Sequence, residues 1–175
     1  QLQIHQRQER QVEDGYVIST DHISGLDGNV MTLNGGTLIS NIETEGYNSV
    51  GVYIANNDSF TMNNGEIIAN NGAGICMRSG TVLINDGTIT VNGTQGHAGK
   101  IGSDNTEMSL SAIIYHETAH YPEYQSMNLT ITDGTITGID HSVEVLSDEV
   151  TPNVNVTGGT FTPAFPIVWS FEGVN

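Results

Sequence analysis

One cysteine, four basic side chains and no long apolar run set the first limits on this chain of 175 residues. A single cysteine, Cys76, excludes an intrachain disulfide. Its place between Ile75 and Met77 reads as a buried thiol on the opposite face of a strand, and no His or Asn pairing pattern accompanies it as a nucleophile would require. The basic residues, Arg7, Arg10, Arg78 and Lys100, face 20 acidic ones, for a formal net charge of −16. So negative a surface repels phosphate backbones and reverses the sign of counterion release, which argues against nucleic-acid partners. Anionic lipid surfaces are repelled for the same reason. No run approaches the ~20 apolar residues of a membrane span, so membrane insertion is not expected. No cofactor is called for by any motif; the carboxylates would recruit Ca²⁺ if anything, because that ion takes oxygen ligands. The chain opens on Gln1 rather than Met, as a processed product or fragment would, and no signal peptide is legible.

Glycine, asparagine and threonine fill the space left by a hydrophobic content of only 37%. The stretch from Gly74 to Gly93, GICMRSGTVLINDGTITVNG, reads as three short strands. Ile75 to Met77 and Val82 to Ile84 are apolar, and Thr88 to Val91 alternates, which marks a half-buried strand. Arg78-Ser79-Gly80 and Asn85-Asp86-Gly87 turn the corners, where Asn, Asp and Gly supply backbone angles that β-branched residues do not take. Four further copies align on the second corner. These are Leu33-Asn34-Gly35-Gly36-Thr37-Leu38, Met62-Asn63-Asn64-Gly65-Glu66-Ile67, Ile131-Thr132-Asp133-Gly134-Thr135-Ile136 and Val156-Thr157-Gly158-Gly159-Thr160-Phe161. The steps between the glycines are 29, 22, 47 and 25 residues. The step of 47 is one coil carrying long insertions, because only Ala112 to Tyr115 offers a first strand inside it. A unit of this size cannot bury its own apolar face, so copies must stack.

The repeated pattern (L/V)-x-(I/V)-x-x-G-(T/E)-(I/F) resembles right-handed parallel β-helix proteins of the pectate-lyase-like architecture, over roughly residues 29 to 170. The resemblance implies an all-β fold, a right-handed three-sheet β-solenoid of about five to six coils. It implies no reaction: lyases, hydrolases, tailspikes and adhesins share the architecture, and none of their catalytic motifs maps onto this sequence residue by residue. The expected core is the inward series Met31, Leu33, Val52, Ile54, Phe60, Met62, Ile67, Ile75, Met77, Val82, Ile84, Ile89, Leu129, Ile131, Ile136, Val143, Val145, Val154, Val156 and Phe161.

Residues 1 to 14 stand apart, rich in Gln and without glycine. They are expected to form a cap, as a short helix over the open end, or an arm on a neighbouring subunit. Residues 15 to 175 form the single β-helix domain, with Tyr16-Val17-Ile18 as a strand of a transitional coil. Insertions at 92–111 and 117–128 flank the strand Ala112 to Tyr115, and loops that interrupt a rigid solenoid are where function is placed.

His116-Glu117-Thr118-Ala119-His120 matches H-E-x-x-H, whose zinc-peptidase chemistry needs both histidines on one face of a helix. Here the motif follows an apolar strand and meets Pro122, which would break a helix. No metal site is assigned, although a looser metal contact through His116 and His120 stays open. The same loop brings Tyr115, Tyr121 and Tyr124 near His116, Glu117, His120 and Glu123. Aromatic faces beside carboxylates suit sugars, so these seven residues are the candidate ligand-binding set.

No catalytic residue is assigned. Asp86, Asp133, Glu66 and Glu144 occupy related places in successive coils, but Asp86 and Asp133 sit where a turn favours Asp anyway. Thr88/Thr90, Thr135/Thr137 and Thr160/Thr162 would form a ladder like the ice-binding face of some solenoids, interrupted by Thr37/Ile39 and Glu66/Ile68. Sequons at Asn57, Asn92, Asn128 and Asn155 carry little weight in so Asn- and Thr-rich a chain.

Two functional classes follow. The first is a non-catalytic extracellular protein of the cell or virion surface, adhesin-like or receptor-binding, that recognises a glycan or a cell-surface protein and self-assembles as a homo-oligomer or filament. The second is a polysaccharide lyase or glycoside hydrolase with its site near the insertions around residues 112–115. An acidic-glycan lyase would want cations for its substrate, and only Arg78 and Lys100 lie in the solenoid.

Overall fold

Short strands and tight corners, most of them closed by glycine, build six successive coils among the residues described in the computed structural model, each coil giving one strand to each of three sheets. It describes residues 2–4, 9–13, 16–20, 28–41, 50–55, 57–94, 99–101, 106–117, 127–147, 153–163 and 168–171. Coil one holds β1 (Leu2–Ile4), β2 (Glu9–Glu13) and β3 (Tyr16–Thr20). Coil two holds β4 (Val30–Leu33), β5 (Thr37–Asn41) and β6 (Val50–Ile54). Coil three holds β7 (Ser59–Met62), β8 (Glu66–Asn70) and β9 (Ala73–Met77). Coil four begins with β10 (Gly80–Ile84) and β11 (Thr88–Asn92), detours through a hairpin of β12 (Gly99–Ile101) and β13 (Thr106–Met108), and returns as β14 (Ile113–Glu117). Coil five holds β15 (Met127–Ile131), β16 (Thr135–Thr137) and β17 (Val143–Ser147). Coil six holds β18 (Asn153–Val156), β19 (Thr160–Thr162) and β20 (Val168–Phe171).

Corresponding strands stack in parallel into three sheets of six strands. The first sheet runs β1-β4-β7-β10-β15-β18, the second β2-β5-β8-β11-β16-β19 and the third β3-β6-β9-β14-β17-β20. Register puts like on like. Met31, Phe60, Val82, Leu129 and Val154 form one inward column, and Leu33, Met62, Ile84, Ile131 and Val156 the next. Leu38, Ile67, Ile89, Ile136 and Phe161 line the second sheet. The whole expected core lies in one cluster, with Val154, Val156 and Phe161 of coil six only partly buried. Each fully buried aliphatic side chain contributes about 1.5–3 kcal/mol of transfer free energy.

In coils two to four the third sheet is largely apolar on both faces. A second cluster of Val50, Tyr53, Ala55, Ala73, Cys76 and Ile114 covers its outer side, with Tyr16 stacked on Tyr53 at a ring separation of 4.8 Å. This explains why β6 and β9 read as continuous rather than alternating apolar runs. Cys76 is fully buried there, on the strand face opposite Ile75 and Met77.

The corner between the first and second sheets carries the glycine of the repeat. Gly65, Gly87, Gly134 and Gly159 hold φ between 104° and 115°, a region that disfavours any residue with a Cβ. A Cβ at Gly65 would lie 2.8 Å from Gly36 O, at Gly87 2.8 Å from Gly65 O and at Gly134 2.9 Å from Gly87 O. Each glycine therefore rests on the one before it. Beside this column the amides of Asn34, Asn63 and Asn85 are linked, Asn63 Nδ2 donating to Asn34 Oδ1 at 2.7 Å and Asn85 Nδ2 to Asn63 Oδ1 at 2.8 Å.

Within the segment 1–14, expected as a cap or an arm, the described residues form β1 and β2, strands and not a short helix. Leu2 and Ile4 pair in register with Met31 and Leu33, so β1 extends the first sheet by one strand. Arg10 falls in register with Leu38, at the head of an otherwise apolar column, which is why its strand was not legible.

Candidate functional site

Coil four is where the repeat is interrupted, and β14 is the strand between the interruptions. The first insertion leaves after β11 and carries the β12–β13 hairpin, an antiparallel pair with Gly99 opposite Met108 and Lys100 opposite Glu107. The second leaves at the far end of β14 and rejoins the solenoid at Met127. Both therefore root on one strand of the third sheet, at opposite ends and at different corners.

Of the seven candidate ligand residues, two have described side chains. Tyr115 is a correction. It points into the core beside Met77 and Val145, is 2% exposed, and presents no ring face to a ligand. Its hydroxyl donates to Met127 O at 3.2 Å and accepts from Asn153 N at 3.3 Å, tying coil four to coils five and six. His116 lies on the other face of β14, opposite Leu146, and is buried. Glu117 ends the strand opposite Ser147. His120, Tyr121, Glu123 and Tyr124 lie outside the described residues. The extended backbone of His116 and Glu117 removes the helix on which H-E-x-x-H peptidase geometry depends. Among the described residues no three His, Cys, Asp or Glu side chains form a metal-binding group. No helix among them is long and apolar enough to cross a membrane.

The carboxylates considered for catalysis are distributed by the fold rather than gathered. Asp86 and Asp133 stack at one corner, each with Oδ1 accepting the N–H of the next glycine, at 2.7 and 2.8 Å. Asn64 does the same in coil three at 2.7 Å, so the turn uses the side-chain oxygen and not the charge. Glu66 lies on the second sheet between Thr37 and Thr88, and Glu144 on the third opposite Ile114. The three Thr-x-Thr pairs stack in register across coils four to six, Thr88 on Thr135 on Thr160 and Thr90 on Thr137 on Thr162.

Sequence reasoning missed the polar group at the base of the first insertion. Ser109 and Ser111 hydroxyls lie 2.6 Å apart, and both donate to Glu144 Oε2, Ser111 at 3.0 Å. Leu110 between them is buried. Its N–H donates to Asp140 Oδ2 at 2.8 Å, and its carbonyl accepts from Ile139 N at 2.9 Å and Asp140 N at 3.1 Å. The only advance signal was Ser109-Leu110-Ser111, polar–apolar–polar, just ahead of the strand. Asp58 was also missed: it is 1% exposed, and its Oδ1 accepts from Asn29 N at 2.6 Å and Nδ2 at 3.2 Å.

Three parallel sheets wound by a glycine-cornered repeat define a parallel β-solenoid. The family model for the right-handed β-helix region matches residues 27–170, and the chain belongs to that family. No curated protein and no solved structure matches the chain.

Proposed function

We propose that this β-helix is a non-catalytic module of an extracellular, cell or virion surface, adhesin-like or receptor-binding, which recognises a glycan or a surface protein through the insertions of coil four. The observation that carries the reading is the interruption of coil four: β11 ends at Asn92 and β14 begins only at Ile113, with a hairpin between them, whereas Asn71 and Gly72 alone separate β8 from β9 in coil three, and a second insertion follows β14. A rigid scaffold that projects two loops from one strand is suited to recognition. Catalysis finds less support, because glycoside hydrolysis needs two carboxylates facing each other across a groove. Asp86 and Asp133 are turn residues, and Glu144 accepts from two serines. The strongly acidic surface favours neutral glycans or basic protein patches over acidic polysaccharides. Association into oligomers or filaments through the coil ends belongs to the same reading.

The test is incubation with a panel of polysaccharides, with mass spectrometry of the products and capture of the intact polymers measured in parallel. Capture without new products supports recognition. Products that vanish in Glu117→Gln or Glu144→Gln replace this reading with a polysaccharide-active enzyme.

A further inference from the structure

We infer that Asn92 is a site of spontaneous chemical modification, losing its amide to give aspartate and isoaspartate, and that the fold keeps three equivalent sites unreactive. The chemistry is intramolecular. The backbone nitrogen of the following residue gives up its proton and bonds to the side-chain Cγ, and the amide nitrogen leaves as ammonia. Water then opens the five-membered imide at one of its two carbonyls, which leaves an aspartyl or an isoaspartyl link. Glycine is the successor that most favours closure, because no Cβ hinders the approach and its backbone turns freely. The sequence offers the pair as Asn34-Gly35, Asn64-Gly65, Asn71-Gly72 and Asn92-Gly93.

The first three pairs are held away from ring closure. Asn34 Oδ1 accepts Asn63 Nδ2 at 2.7 Å, and Gly35 is buried under the next coil, where a Cβ on Gly65 would lie 3.1 Å from Gly35 Cα. Asn64 is exposed, but its Oδ1 accepts the N–H of Gly65 at 2.7 Å. The proton to be lost is therefore engaged, and it points at the oxygen instead of Cγ. Gly65 is also restrained on its far side, its carbonyl accepting Thr88 N at 2.9 Å. Gly72 is buried, so its nitrogen is shielded from solvent base. Asn71 before it has φ of 57°, with its N–H donating to Asn92 O at 2.7 Å.

Asn92-Gly93 lacks these restraints. Asn92, Gly93 and Thr94 are all exposed. Among the described residues, Gly93 N–H has no acceptor and Asn92 Oδ1 no donor. β11 also outruns its neighbour: β16 stops at Thr137, in register with Thr90, so no strand of coil five lies over Asn92. Its side chain is tied through Nδ2, which donates to Asn70 Oδ1 at 3.0 Å, and Nδ2 is the group that departs. A carboxylate in its place would set acceptor against acceptor, because Asn70 Nδ2 is already given to Asn41 Oδ1 at 2.6 Å. Modification thus removes the last link of this amide column. The isoaspartyl form also lengthens the backbone by one carbon where the chain leaves the solenoid for the first insertion.

Peptide mapping by mass spectrometry tests the inference on the full chain, aged at mildly alkaline pH once folded and once in denaturant. In the folded chain Asn92 is expected to convert at least about tenfold faster than Asn34, Asn64 or Asn71, the factor given by roughly one hydrogen bond's worth of local opening. In denaturant the four rates converge, since local sequence alone then acts. Asn92 left intact in the folded chain, or another of the four keeping pace with it there, overturns the assignment. A ranking that persists unchanged in denaturant overturns the part given to the fold.

Discussion

Three glycines separate the two reasons why the repeat demands glycine, and their replacement by alanine is the sharpest test of the stacking argument. Gly28 has φ of +84° with nothing within 4 Å of an added methyl group, so Gly28→Ala meets backbone strain alone. That cost is about 1–2 kcal/mol. Gly74 has an ordinary φ, but its Cβ would lie 2.5 Å from Ala112 O and 2.5 Å from Ile89 Cγ2. Gly74→Ala therefore reports overpacking, at about 1–3 kcal/mol. Gly87 combines both: φ is +115°, and the Cβ would meet Gly65 O at 2.8 Å and Met62 Cε at 2.5 Å. The methionine can swing away but the carbonyl cannot, because it accepts Thr88 N at 2.9 Å. Gly87→Ala is expected to cost about 2–5 kcal/mol. For a chain of this size that lowers the thermal midpoint by roughly 5–20 °C. Urea titration followed by circular dichroism ranks the three variants. Should Gly87→Ala prove no worse than Gly28→Ala, the column of glycines on carbonyls does not govern the coil spacing.

Asp86→Asn and Asp133→Asn are expected to change stability by less than about 0.5 kcal/mol in the same titration, since Asn64 already fills the equivalent turn. Tyr115→Phe removes the donor to Met127 O and the acceptor for Asn153 N, and should destabilise by about 1–3 kcal/mol while leaving polysaccharide capture unchanged. Lost capture at wild-type stability would instead make Tyr115 a ligand residue. Asn63→Ala breaks the amide column in both directions and, since both bonds face solvent, is expected to cost about 0.5–1.5 kcal/mol. A smaller effect would show that the column is decorative on its solvent side.

The coils were legible because their corners repeat a chemical requirement. A glycine with φ near 110° marks the same place in each turn from coil three onward, apart from the last few degrees of variation, and alternation around it assigns the inward residues of the first and second sheets. The third sheet hid its orientation. Ile113, Ile114 and Tyr115 are all apolar, since both faces of that sheet are buried, and no pattern says which way the tyrosine turns. Coil one escaped because it lacks the corner glycine and sets Arg10 in register with a core column. The hydrogen bonds from Ser109, Leu110 and Ser111 to Asp140 and Glu144 join residues about thirty positions apart without any repeat to announce them. Local polarity alone does not identify such partners.

The bonds between coils are indifferent to how much chain separates them. Asn85 Nδ2 reaches Asn63 Oδ1 across 22 positions at 2.8 Å, and Thr132 N reaches Ile84 O across 48 at the same 2.8 Å. Doubling the length of a closed loop costs only about 0.6 kcal/mol in chain entropy. Against the several ladder bonds and buried side chains that each coil adds, that is a small term. The scaffold can thus lengthen a corner, exchange its contents or carry two at once while the neighbouring turns keep their register. Variation in the loops is uncoupled from the integrity of the turns that carry them, and coil four is that freedom already used.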